Sequence, residues 1–294
     1  MGTDVFPIDG DQFEAFATGL DGPEGVVWDA ERNVLYAGGL HGQLYRVTLD
    51  GAVEQLTDFG ARAFVLGLAL DARGRVYVCE RGTGRFLRHD PDTGTTEDYT
   101  TGTPERPLIT PNYPVFAADG TLYLSDSGRW GSDDGIVYRV SPDGATTVWS
   151  EKPSDFTNGL ALAPDGRALY VAESRGSSVW RIPIRGDGSA GPAERLWHTP
   201  RTVPDGLAFD ADGMLYLSLY RPDGIHRIDP ATGESHPVVE DWTAQFLQAP
   251  TNIAFAGPDL EVLVTANLAG EHLARWSGRL PAPGRPLHRP DIRG

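Results

Sequence analysis

The chain has 294 residues, with 41 acids against 25 Lys and Arg and a net charge of −16. That balance argues against a nucleic-acid backbone as partner, and no apolar run is long enough to span a bilayer. The sole cysteine, Cys79, excludes an intrachain disulfide framework. With an acidic N-terminal segment unlike a signal peptide, this points to a cytoplasmic enzyme.

In chain order, QFEAFAT at 12–18 is a lone strand-like segment. A repeating unit then begins, its apolar runs opening at Glu24 (EGVVWD), Leu66 (LGLALD), Asn112 (NYPVFA), Asn158 (NGLALA), Asp205 (DGLAFD) and Asn252 (NIAFAG). The successive gaps are 42, 46, 46, 47 and 47 residues. Each unit reads as an apolar strand, a turn such as DARG at 71–74 or PDG at 164–166, a second strand, a polar loop, a third strand and a fourth. Short apolar runs punctuated by Gly, Pro and Asp are strands rather than helices, and a repeat of about 45 residues indicates a propeller. We therefore expect an all-β, six-bladed β-propeller over residues 1–276. The sixth unit lacks a fourth strand after HLARW, and QFEAFAT resembles the missing one, so the N-terminal strand closes the last blade and leaves no open edge. Residues 277–294 (SGRLPAPGRPLHRPDIRG) are Pro- and Arg-rich and aperiodic, which suits a loose strap or a disordered end. Cys79, inside the apolar run RVYVCE, reads as a buried, inert thiol.

In a propeller the first strand of each blade is innermost, so the starts of the six apolar runs meet at one mouth of the central channel. Asn and Asp before a strand are also common turn residues. Five oxygen-bearing side chains at one repeat-equivalent place, however, indicate a shared site. Two carboxylates and two or three amide carbonyls, without Cys or an inner His, form a hard oxygen site. Such a set suits calcium better than zinc, and magnesium and manganese fit the same donors. Asn252 is the weakest member, a turn residue or an outer partner. Glu80, Asp126, Glu173 and Asn267 close the second strands on the same face as an outer polar ring.

The segments GPEGVVWD at 22–29, TPNYPVFAADGTLYLSDSG at 110–128, FTNGLALAPDGRALYVAES at 156–174 and VPDGLAFDADGMLYLS at 203–218 resemble the senescence-marker-protein/gluconolactonase family. Paraoxonases and diisopropylfluorophosphatase are its relatives. The resemblance runs over about residues 12–276. It implies a divalent cation, usually calcium, on Glu24, Asn158 and Asp205, with a direct or water-mediated role for Asn112. It also implies hydrolysis of a lactone or related ester. Sugar lactonases of this group carry R-x-N-D-G where this chain has TPNY, with Thr110 and Tyr113 in place of the Arg and Asp. A flatter or more apolar substrate than a sugar lactone is expected.

The metal would act as a Lewis acid on the carbonyl. Asp205 is the candidate base for the attacking water, and His41 is an independent candidate because an imidazole titrates near neutrality. Asn112, Arg129, Trp130 and Tyr220 are candidate substrate contacts, and Phe246 is a further wall residue. His226 and His272 read as structural. An organophosphate hydrolase and a metal-dependent, non-hydrolytic natural-product enzyme are the alternative functions. The expected partner is a small-molecule substrate, with no nucleic acid and no membrane.

Overall fold

The computed structural model describes residues 12–276 and 278–292. Among the described residues there are 24 strands in six four-stranded antiparallel sheets, one per blade. Five sheets take four consecutive strands. The sixth is completed by Phe13–Thr18, which pairs antiparallel with His272–Trp276. The expected six-bladed propeller, with its ring closed by the N-terminal strand, is what the chain forms. No helix among the described residues is long and apolar enough to cross a membrane.

Burial explains why the innermost strands read as continuous apolar runs. Val65–Leu70, Pro111–Phe116 and Pro250–Ala256 are buried at every position, because they pack against neighbouring blades on both faces. The outermost strands, such as Val53–Asp58, are exposed or half-buried at every position. Adjacent blades lock through a recurring edge-to-face aromatic pair. Tyr77, Tyr170 and Tyr216 on second strands meet Phe116, Phe209 and Phe255 on the next blade's inner strand, with centroids 4.9, 5.3 and 5.2 Å apart.

The inner strands crowd at the channel mouth. A Cβ on Gly159 would lie 2.1 Å from the carbonyl oxygen of Asp205, and one on Gly25 would lie 2.0 Å from that of Leu66. The glycine after the ligand-bearing position is therefore a packing requirement between blades, although NG and EG look like turn signals in the sequence. Cys79 is fully buried and unpaired. Burial, reinforced by the charges of Glu24 and Asp126, pushes its thiol well above the ordinary range, which keeps it unreactive.

Residues 278–292 run as a strap across the opposite mouth of the channel. Their backbone bonds reach three turns: Ala211 N–H to Pro283 O at 2.8 Å, Gly284 N–H to Leu260 O at 2.8 Å, and Ala72 N–H to Pro290 O at 3.0 Å. Arg289 Nη1 meets Asp29 Oδ1 at 2.8 Å, and Ile292 is buried among Tyr77, Phe116 and their neighbours. The expectation here was a loose strap or a disordered end; residues 278–292 follow a strap's course, tied down at each of these points.

Candidate metal centre

Glu24, Asn112, Asn158, Asp205 and Asn252 all stand at the entry to inner strands on the face away from the strap, and all are buried. Glu24 and Asp205 are close enough to interact as like charges, and the Asn158 amide acts on Asp205 to lower its pKa. Asn252 Nδ2 lies 3.5 Å from Glu24 Oε2.

The amides are oriented by residues that the repeat did not single out. Asn112 Nδ2 donates to Ser127 Oγ at 2.9 Å, and Ser127 Oγ donates to Thr157 O at 2.6 Å. One blade on, Asn158 Nδ2 donates to Ser174 Oγ at 3.0 Å, and Ser174 Oγ donates to Pro204 O at 2.7 Å. Each serine thus joins a site amide to the backbone just before the next blade's site residue. Turning the N–H side to serine leaves the carbonyl oxygens facing elsewhere. Asn112 Oδ1, Asn158 Oδ1, Asp205 Oδ1 and Asn252 Oδ1 are buried and without a hydrogen-bond partner among the described residues.

A buried acceptor without a donor costs about 1–3 kcal/mol, a cost that a cation held by these four oxygens would remove. The electrostatics agree. Burial, then the charge of Asp205, push Glu24 well above the carboxylate range, partly offset by Arg81. Burial pushes Asp205 up to about 8, against the effect of the Asn158 amide. Two carboxylates and three amide oxygens without Cys or His are a hard-oxygen set that fits calcium. Asn252, a turn or outer residue on sequence grounds, has the same burial and the same unpartnered oxygen as Asn112 and Asn158.

The outer ring has a different task. Asp126 accepts the Ile109, Thr110 and Gly128 N–H groups. Glu173 accepts Ser154 and Asp155 N–H, and Glu80 accepts Phe64 and Thr83 N–H. Asn267 Oδ1 accepts Gln248 N–H. These side chains clamp the loops that deliver the inner strands to the mouth.

Among the predicted catalytic and substrate residues, His41 is exposed and its Nδ1 lies 2.5 Å from Asp21 Oδ2. The charges acting on Glu24 come instead from Asp205 and Arg81. Arg81 was not anticipated; it follows Glu80 at the position that Ser127 and Ser174 occupy in blades three and four, and its guanidinium covers the Phe64 ring at 5.3 Å. Trp130 is exposed and packs edge-on to Phe156 at 4.7 Å, with Arg175 over its ring at 5.7 Å. Arg129 is exposed and paired with Asp134 at 2.7 Å. Tyr220 is half-buried beneath Arg221, and Phe246 is half-buried. Of the two histidines read as structural, His272 Nε2 lies 3.2 Å from Phe246 O, and His226 packs edge-on to Trp197 at 6.2 Å. Tyr113 is buried directly below the site, and its hydroxyl reaches across the channel to Leu207 O at 3.5 Å. Burial, with the Glu24 and Asp205 charges, raises its ionisation so that the phenol stays neutral.

The sequence matches the model of the SMP-30/gluconolactonase/LRE-like region over residues 22–267. It is 27% identical over 207 residues to the lactonase drp35 of Staphylococcus saprophyticus, covering 67% of this chain and 63% of that protein. The chain therefore spans a little under two thirds of the curated relatives it matches. Among solved structures, the gluconolactonase of Xanthomonas campestris superposes with a TM-score of 0.77 at 24% identity, covering 93% of this chain and 89% of that one. Regucalcin of Agrobacterium tumefaciens, described as a calcium-binding protein, superposes with a TM-score of 0.78 at 19% identity, covering 94% and 98%. With its family model spanning the chain from the first blade to the sixth, the chain belongs to the SMP-30/gluconolactonase/LRE-like family.

Proposed function

We propose that this protein is a calcium-dependent hydrolase of lactones or related esters, working at the mouth lined by Glu24, Asn112, Asn158, Asp205 and Asn252. The observation that carries the reading is the set of four buried, unpartnered oxygens, three from amides and one from Asp205, together with the like-charged carboxylate of Glu24. Similarity to a lactonase and to a calcium-binding structure supports it. The ion, when bound, would supply Lewis-acid polarisation of the substrate carbonyl.

The chain's own residues do the rest. Asp205 has two carboxylate oxygens, so that one can face the ion while the other takes a proton from water. His41, exposed and engaged with Asp21, is less well placed for that task. Ser127 and Ser174 hold the amides in one orientation. Phe64, Phe156 and Trp130 flank the mouth, while Thr110, in the place of the sugar-gripping Arg, is buried with its N–H held by Asp126. That wall favours a lactone with an alkyl or aryl substituent over a polyhydroxylated one.

The test is a panel of alkyl- and aryl-substituted γ- and δ-lactones, sugar lactones, aryl esters and phosphotriesters, assayed on chelated and calcium-reloaded protein. Lactone turnover that is lost on chelation and restored by calcium is expected. Calcium-loaded protein that turns over phosphotriesters alone, or nothing at all, would sink the proposal.

A further inference from the structure

Below Tyr113 the channel opens into a cavity of about 260 Å³, closed at its far end by strap residues 285–289. Its walls are aliphatic and aromatic, among them Leu68, Leu70, Val115, Leu160, Leu162 and Phe209. Its size approaches the roughly 300–1,000 Å³ of small-molecule pockets. In a chain of net charge −16, no Asp or Glu lines this space; its strongly ionisable lining residues are Arg285, His288 and Arg289, all from the strap.

The two arginines are held differently. Arg285 gives Nη2 to Pro164 O at 2.8 Å and has no acidic partner among the described residues. Arg289 is anchored through Nη1 to Asp29 and Nε to Asp71 O, while its buried Nη2 has no partner. An acceptor reaching that group would remove the cost of an unpaired buried donor. Leu287, in the part of the strap that lines the cavity, is 58% exposed.

We propose that this cavity is a second ligand site, for an amphipathic carboxylate whose hydrocarbon part fills the channel and whose carboxylate sits against Arg285 and Arg289. The site is independent of the metal centre: none of the five metal-centre residues lines it, and Tyr113 lies between the two. A planar guanidinium recognises a carboxylate through paired N–H donors, and an apolar wall rejects small hydrophilic anions.

Titration of the full chain with decanoate, decanol and acetate tests this, read by calorimetry and by the fluorescence of Trp28, which lines the cavity. Decanoate should bind at one site per chain with and without chelator, decanol should bind at least about tenfold more weakly, and acetate should not bind. Arg285→Gln should weaken decanoate about tenfold and leave decanol unchanged, and Trp28→Phe should remove the fluorescence response. Decanoate binding that disappears on chelation would place the anion on the metal instead and overturn the proposal. Equal affinity for decanoate and decanol, or no binding of either, would also overturn it. The comparison of ligands on the unaltered chain decides the matter even if Arg285→Gln does not fold.

Discussion

Asn252 Nδ2 lies 3.5 Å from Glu24 Oε2, across the seam where the last blade meets the first. The same seam carries Thr251 Oγ1 to Glu24 O at 2.8 Å and Asn252 N–H to Glu24 O at 3.3 Å. Closure of the ring and assembly of the oxygen cluster are thus one event, with strand entries 228 residues apart brought into contact.

If Asn252 Oδ1 belongs to the donor set, Asn252→Leu should weaken calcium about tenfold or more. Metal-free stability should change little, because an apolar group of similar size replaces an unpaired acceptor. Calcium titration by calorimetry checks the first point and melting without metal checks the second. Unchanged affinity would return Asn252 to a purely structural role.

Glu24 and Asp205 give a pH signature to the metal-free protein. Their folded pKa values are raised, Asp205 from 3.8 to about 8 and Glu24 well above 4.5. The folded state therefore holds protons that the unfolded chain has already released. That contribution to stability is complete below about pH 4 and is lost as the pH rises towards about 8, with a limiting slope of about 1.4 kcal/mol per pH unit for each proton retained. The two carboxylates titrate as a pair. Calcium bound between them would take the place of the proton, so melting curves recorded from pH 4 to 8 should slope downward in chelator and flatten in calcium. Parallel curves in the two conditions would count against a cation between these groups.

Asp205→Asn separates the catalytic and structural parts of the same argument. Turnover should fall about 10²–10⁴-fold with loss of the base, and further if calcium is lost too. Without metal the variant should be more stable than the parent at pH 8, since it removes a buried like charge beside Glu24. Full activity would remove Asp205 from the mechanism.

Ser127→Ala and Ser174→Ala test the orienting serines. Each frees an asparagine amide to rotate and leaves a buried backbone carbonyl without its donor, at a cost of about 1–3 kcal/mol. Loss of such an orienting partner typically weakens a metal about 10–100-fold. Calcium affinity measured on folded variants is the readout, and the double variant should lose more than either single one.

The periodicity made the blades and the five polar entry positions legible, because inner strands buried on both faces must be apolar throughout and an oxygen at their start is conspicuous. The serines were not legible. A Ser after a strand-ending acid looks like any polar loop residue, and only the fold shows that Ser127 lies between Asn112 and the carbonyl of Thr157. Arg81 was hidden for the same reason, its charge reaching Glu24 through space rather than along the sequence. Tyr113 registered as a departure from a motif, whereas its reach to Leu207 O makes it the partition between metal centre and cavity. The strap escaped periodicity altogether, since it is held turn by turn through isolated backbone bonds and arginine contacts rather than by a repeating apolar face.

Closure by the N-terminal strand makes a final prediction about where stability resides. Phe13 is 1% exposed and packs its ring 5.1 Å from that of Trp276, and Ala17 is fully buried against the last blade. Residues 1–11 lie outside the described residues, so the prediction rests on the Phe13–Thr18 strand. Removing it would expose the backbone of His272–Trp276 as a sheet edge and uncover the apolar groups beneath it. The Phe13→Ala change alone should cost about 3–5 kcal/mol. Because the last blade also delivers Asn252 to Glu24, the same change should weaken calcium binding although Phe13 is no part of the metal centre. A variant with lowered melting temperature but unaltered calcium affinity would show that the seam and the metal centre are energetically separate.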